Sequence, residues 1–290
     1  MMTSPKLIQH SKSAGTARRA LLAGLAAIAI ALPASPAAGG VVSIEFDADN
    51  FDNPLDIDNP FLPMAEGTTQ IYKAEGADGC EVNVVTVTSR KKRITIEGES
   101  IQARVVEDLA YEDPECDGLA LILVEKTFDW FAQDDAGNVW YFGEETFDCE
   151  GAGSCELGEG SWEAGKDVGD VGTIAEPGLI MLANPRNGDQ YYQEFYEGFA
   201  EDQARVTGVG VTVTLEREDA WPGSPFTGCL KTKEWSQLDP GAVEQKYYCP
   251  GIGLVAVDEH RGKELRFELV TGAAASSSDA FEFRKVPGTN

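Results

Sequence analysis

Through most of the chain, apolar and β-branched residues recur at every second position in short runs broken by glycine, proline, asparagine and aspartate. That is the period of half-buried strands. The runs occupy residues 68–73, 81–88, 103–107, 120–133, 138–147, 204–216, 228–235, 243–249, 253–258 and 264–270. Their content of Val, Thr, Tyr, Phe and Trp favours sheet, and no long amphipathic stretch competes. The pattern predicts an all-β fold of antiparallel meanders. In the segment 191–199, Tyr191, Tyr192, Phe195, Tyr196 and Phe199 fall at helical spacing, but Gly198 weakens a helix and the following Val-Thr run continues the β pattern. We read it as strand.

One hairpin stands out. Residues 128–145, FDWFAQDDAGNVWYFGEE, place aromatic side chains on both faces of two strands, with Gly137 where a three-residue loop needs a left-handed backbone. If Asp134 pairs with Asn138, Trp130 faces Phe142 and Ala132 faces Trp140 on one side, while Phe131 and Tyr141 meet on the other. A sheet with one wet face carries aromatics on one side only. Here both faces are covered, or one lines a cavity.

The N-terminus has the form of a cleavable export signal over residues 1–38: Lys6, Lys12, Arg18 and Arg19, then an apolar run from Ala20 to Leu32, then small residues. The run is short of the roughly 20 apolar residues a membrane helix needs, and no later segment reads as a span. The Arg18-Arg19 pair hints at twin-arginine export, although Ala17 stands where Ser or Thr is expected. Beyond the signal we expect an acidic Asp/Asn-rich arm over 39–58, a single β domain over 59–272, and a mobile tail over 273–290 in which Phe281 and Phe283 alternate as in an edge strand. Removing 4 of the 23 basic residues with the signal leaves 19 against 49 acidic ones, a formal net charge of −30. Such a surface repels phosphate backbones and argues against a nucleic-acid partner.

All six cysteines lie beyond the signal: Cys80, Cys116, Cys149, Cys155, Cys229 and Cys249. An even count in an exported chain indicates disulfides. Proximity favours Cys149 with Cys155 and Cys229 with Cys249, which leaves Cys80 for Cys116. None has the close spacing of a zinc site, and a thiol nucleophile would need a lowered pKa and a base beside it.

Several separated segments together resemble a family of exported bacterial proteins of unknown function. They are Asn59-Pro60-Phe61-Leu62-Pro63 with Gly67-Thr68-Thr69, the aromatic hairpin, Gly160-Ser161-Trp162-Glu163-Ala164-Gly165, Ala183-Asn184-Pro185, and Lys246-Tyr247-Tyr248 with Pro250-Gly251-Ile252-Gly253-Leu254-Val255. The resemblance covers most of the chain from Asn59 to Val270 and carries no activity, cofactor or catalytic residue. The Pro-Gly-x-Gly-Leu-Val turn and strand also look like the closing strands of exported proteins built on a half-open sheet. The resemblance therefore implies a single large, strongly curved antiparallel sheet, an open barrel or cradle, supported by disulfides.

Candidate chemistry is sparse. His10 leaves with the signal, so His260, beside a hairpin tip at Arg261-Gly262, is the only histidine beyond it, and no GxSxG is present. This argues against a Ser-His-Asp hydrolase and against histidine-rich metal sites. The best metal candidate is calcium at Asp47, Asp49, Asp52, Asp56 and Asp58, with Asn50, Asn53 and Asn59 nearby. An EF-hand begun at Asp47 fails, however, because Phe51 and Asp52 occupy the positions of an oxygen ligand and the turn glycine. Asx-turns in a solvated arm are the alternative. Asp129, Glu144, Glu145 and Glu125 lie on or beside the aromatic hairpin and could serve as paired carboxylates for glycoside hydrolysis. Core packing is the competing role for Trp130, Trp140, Trp162 and Trp235. The Gly-rich stretch 151–160 lacks the Lys-Ser/Thr of a nucleotide loop.

The leading expectation is an exported, non-catalytic β protein that holds a small apolar or aromatic molecule in a sheet-lined cavity, with Phe131 and Tyr141, and next Trp130 and Trp140, as lining residues and no cofactor. A secreted carbohydrate-active hydrolase using two of the carboxylates is one alternative. A structural or surface-interaction protein, with calcium as a possible ligand, is another.

Overall fold

The computed structural model describes residues 39–271 apart from 152–153, 159, 171 and 261–263. The export signal, the C-terminal tail and the Arg261-Gly262 tip lie outside the described residues. The described chain forms one antiparallel sheet of fourteen strands with a single 3-10 turn, Ala48–Asn50. The strands are β1 (Thr69–Gly76), β2 (Gly79–Ile96), β3 (Glu99–Asp113), β4 (Ile122–Gln133), β5 (Val139–Cys149), β6 (Cys155–Leu157) and β7 (Trp162–Glu163). They continue with β8 (Gly178–Met181), β9 (Gln190–Tyr192), β10 (Asp202–Val213), β11 (Phe226–Ser236), β12 (Val243–Cys249), β13 (Gly253–His260) and β14 (Glu264–Thr271).

The spatial order is β6-β5-β4-β3-β2-β1-β14-β13-β12-β11-β10-β9, with β7 and β8 added along β5. Two meanders are thus joined in the middle by the ladder between the first long strand and the last. The sheet curls until its two ends nearly meet. β8 pairs with β5, and just before β8 the Glu176 amide donates to the Phe195 carbonyl, beyond β9, at 2.8 Å. One isolated bridge, not a ladder, spans the ends. On the enclosed side a continuous core runs from Tyr72, Val87 and Val106 through Phe131 and Tyr141 to Leu254, Val257 and Phe267.

Two turns show why the strands run as they do. β2 and β3 are longer than the apolar runs suggested, because Glu97 and Gly98 both take positive φ (53° and 94°) and close a two-residue hairpin loop. In the aromatic hairpin, Gly137 (φ 90°) donates to Asp134 O at 2.9 Å, and the Asp134 carboxylate accepts from Asn138 N, Asn138 Nδ2 and Trp140 Nε1 at 2.8–2.9 Å.

Phe131 and Tyr141 pair as expected, but Trp130 does not face Phe142 alone. The register shifts so that Asp129 pairs with Glu144. The bulge lies at Gly143 (φ 128°), where a Cβ would strike the Trp162 carbonyl. Because side chains alternate, one extra residue turns Glu144 onto the face of Tyr141 and Asp129.

The acidic segment 39–58, much of it exposed, is anchored to the hairpin by two aromatic residues. Phe46 and Phe51 meet Trp140 and Phe142 edge-on at centroid distances of 5.8–6.1 Å, covering the outer face of the hairpin. Backbone bonds from Gln133 N to Pro54 O and from Asp135 N to Asn50 O fasten it. Its apolar residues outweigh its charge, since they bury the aromatic face that would otherwise meet water. The strand expected over 191–199 shortens to β9, after which Tyr196 and Ala200 close a tight turn at Gly198 (φ 74°). Three disulfides join Cys80 to Cys116, Cys149 to Cys155 and Cys229 to Cys249, the pairing that proximity favours.

Candidate functional site

Inside the curl lies a mainly apolar cavity of about 50 Å³. By that measure a water-sized group takes roughly 10–15 Å³, so the space accepts about four such groups, the end of an alkyl chain or a small ring. Its walls come from alternate positions on neighbouring strands: Gln70 and Tyr72 of β1, Val85 and Val87 of β2, Val106 of β3, Lys246 and Tyr248 of β12, and Leu254 of β13. Ile180 of β8 and the segment Leu62-Pro63-Met64 complete it.

That segment is held at both ends. Asn59 Nδ2 donates to Gly137 O and Leu182 O, Asn59 Oδ1 accepts from Phe61 N, and Met64 N donates to Ile57 O at 2.9 Å. Gly251 N donates to Pro60 O at 2.8 Å, which ties the cover to the β12–β13 turn. The Asn-Pro-Phe-Leu-Pro motif therefore positions a lid of apolar side chains over the cradle.

The polar groups at the cavity are bonded to the protein itself. Tyr72 OH lies 3.0 Å from Leu254 O and 3.2 Å from Gln70 Oε1, and Gln70 Nε2 donates to Ile252 O. Lys246, buried, places its ammonium 2.8 Å from Glu234 Oε2 and 3.3 Å from Glu244 Oε2. Thr232 and Tyr248 hydroxyls both approach Glu234 Oε1, at 2.7 and 3.3 Å. Burial alone would lower the Lys246 pKa, but the two carboxylates raise it above the ordinary lysine value. Burial, reinforced by Asp108 for Tyr72 and by Glu234 for Tyr248, pushes both phenols upward. Near neutral pH the site presents a protonated amine and neutral phenols. In those states the amine lacks a free lone pair and the phenols keep their protons.

A second polar group sits under the aromatic hairpin. Tyr141 OH donates to Asp129 Oδ1 at 2.6 Å and lies 3.3 Å from Glu144 Oε2. Its ring stacks on Phe131 at 4.8 Å and meets Trp162 edge-on at 5.4 Å, and Trp162 Nε1 donates to Glu194 Oε1 at 2.9 Å. Burial first, then the charges of Asp129, Glu144 and Glu194, drive the Tyr141 pKa well above its ordinary value. Asp129 and Glu144 are thus brought together, but both are 1% exposed. A sugar has no access to them. Glu145 points to solvent and Glu125 is half-buried, accepting a long 3.5 Å bond from Thr127.

Phe131 and Tyr141 have no exposed surface, Trp130 and Trp140 are buried, and none of the four lines the cavity. Lys92 lies 4.1 Å over the Trp130 ring. Among the aspartates considered for calcium, Asp47 caps the 3-10 turn by accepting from Asp49 N, Asp52 N donates to Asp135 Oδ1, and Asp58 exchanges hydrogen bonds with Gln133. Asp47 also borders an open acidic cleft of about 530 Å³ with Glu45, Glu97 and Glu99. Among the described residues no three His, Cys, Asp or Glu side chains are grouped to hold a metal ion. His260 ends β13, half-buried against Gln245.

Sequence reasoning missed Lys246, Glu234, Glu244, Tyr72, Tyr248 and the role of Leu62 to Met64. A signal was present: in 228–236 and 243–249, Thr232, Glu234, Glu244 and Lys246 share the strand phase of Leu230 and Tyr248, so charge stands where the alternation demands core.

No protein-family model matches the chain, and no curated protein matches it. Among solved structures, it is similar to a Bacteroides fragilis protein provisionally described as exported and as having a YmcC-like fold: 14% identity, 73% of this chain and 98% of that one covered, TM-score 0.35. It is also similar to a Parabacteroides distasonis protein provisionally described as a lipoprotein, at 13% identity, with 73% and 97% covered and a TM-score of 0.33.

Proposed function

We propose that this is an exported, non-catalytic binding protein whose curved sheet takes a small apolar molecule, or the apolar end of a larger one, beneath the Leu62-Pro63-Met64 cover. The observation that carries the reading is the cavity itself: an apolar space inside the cradle whose few polar neighbours are neutralised or hydrogen-bonded internally. An export-type leader and described cysteines that are all in disulfides fit an oxidising compartment. The enclosed Asp129 and Glu144 give no support to a carbohydrate hydrolase, which needs a cleft open to its substrate.

Native mass spectrometry of protein purified from its own source should show a retained apolar molecule. In calorimetry, V106F, which fills the cavity, should abolish binding of 1-octanol while leaving the circular dichroism spectrum unchanged. Absence of both retained mass and octanol binding, or octanol binding indifferent to V106F, refutes the proposal.

A further inference from the structure

On β2 and β3 the cavity wall runs on into a basic rim. Val87 and Val106, both lining residues, pair in register, and so do Lys91 and Arg104 beyond them. Paired residues point to the same side and alternate residues share a face, so Arg104, Lys91 and then Arg93 continue the face of the two valines. Arg104 stands two residues, about 7 Å, along β3 from Val106. It is 7% exposed. Its Nη1 lies 2.9 Å from Glu66 Oε2 and donates to Thr88 O, its Nη2 donates to Leu55 O, and among the described residues its Nε has no hydrogen-bond partner. Glu66 follows the Leu62-Pro63-Met64 cover and, with 53% of its side chain exposed, can turn outward. Lys91 and Arg93 are exposed, and among the described residues neither forms an ion pair. The net charge of −30 does not cancel this rim, because charges beyond a Debye length of about 8 Å are largely screened.

Resting on the cavity reading above, we infer that the ligand is an anionic amphiphile: an alkyl chain whose end fills the cavity and whose carboxylate, or a head of like charge, lies at Arg104, Lys91 and Arg93. The cavity takes about four carbon-sized groups, and the carbons beyond them bridge the interval from Val106 to Arg104. As Glu66 turns aside, the head takes its place, so the buried guanidinium stays paired and its Nε supplies a further donor. Lys91 and Arg93 add charge from the exposed side.

Isothermal calorimetry of the full mature chain with octanoate and 1-octanol, near neutral pH and at low salt, tests this. Octanoate should bind at least about fivefold tighter than octanol, since charge-assisted hydrogen bonds are roughly twice as strong as neutral ones. V106F should abolish both, which puts tail and head in one site. K91A/R93A, at two exposed positions, should weaken octanoate roughly fivefold and leave octanol unchanged. E66Q keeps an acceptor for Arg104 but removes the competing charge, so it should tighten octanoate several-fold, again without change for octanol. Unchanged octanol affinity shows that each variant folds, and K91A/R93A decides alone if E66Q loses octanol. Octanol bound with octanoate no tighter, octanoate indifferent to V106F, or octanoate affinity unmoved by either folded variant overturns the inference and leaves the cavity reading standing. Binding of neither overturns both.

Discussion

Replacing Lys246 by Met removes the counter-charge of two buried glutamates and is expected to be among the most damaging single changes in the cradle. At 2.8 and 3.3 Å, and with an effective dielectric constant of about 20, the gross attractions are roughly 6 and 5 kcal/mol. Desolvation of three ions and repulsion between Glu234 and Glu244 offset most of that. Removing one partner of a buried pair nevertheless costs about 3–5 kcal/mol, because it leaves uncompensated charge. The folded-state pKa of Lys246 is raised above its unfolded value of 10.5. Its contribution is therefore fully present below the unfolded value and is lost only as pH rises through the higher folded one. Urea unfolding at about pH 7 and about pH 9 should give the same loss for K246M, about 3–5 kcal/mol. K246M/E234Q/E244Q, which removes the orphaned charge, should recover at least half of it. A loss for K246M below about 1 kcal/mol, or one that fades between the two pH values, would show that the triad does not hold the cradle as argued.

Four further outcomes are open to measurement. F51A should cost about 3 kcal/mol in urea unfolding, since Phe51 packs on Trp140 and Phe142; a cost under about 1 kcal/mol would mean that the N-terminal segment is not seated on the hairpin. Y141F removes the hydroxyl between Asp129 and Glu144 and should cost about 2 kcal/mol, whereas wild-type stability would argue against that hydrogen bond. The disulfides close separations of 36, 20 and 6 residues. Loop entropy then ranks replacement of Cys80–Cys116, Cys229–Cys249 and Cys149–Cys155 by alanine pairs at about 4, 3 and 2 kcal/mol, and a reversed order in denaturation midpoints would discount that account. Because Asp47 and Asp58 are held singly, by the Asp49 amide and by Gln133, and no three acidic side chains among the described residues are grouped, calcium at about 1 mM should leave the thermal midpoint unchanged; a concentration-dependent rise would restore the calcium reading.

Some of this was legible residue by residue. The Asp134-to-Asn138 loop announced its own geometry through Gly137, and the Phe131–Tyr141 pairing followed from it. The bulge at Gly143 did not, because it depends on Trp162 crossing the strand, and the sequence of the hairpin contains nothing about that neighbour. The acidity of 39–58 suggested solvation, yet Phe46 and Phe51 carried the information that mattered, and it became readable only once an aromatic face existed to receive them. The cavity was expected at the hairpin and lies instead between β1–β3 and β12–β13, under the Asn-Pro-Phe-Leu-Pro segment.

By itself, the sequence determined the period-two alternation, hence the all-β class, the approximate position of the long strands and the disulfide partners close in the chain. These rest on local rules: side-chain alternation, turn glycines and short loop closure. Only the tertiary structure decided where the enclosed space lies and which charges border it. Gln70, Val106, Ile180 and Lys246 are far apart in the chain and meet because the β1–β14 ladder joins two meanders and the sheet then curls upon itself. Long-range register and curvature of that kind arise from packing across the whole sheet, and no window of sequence encodes them.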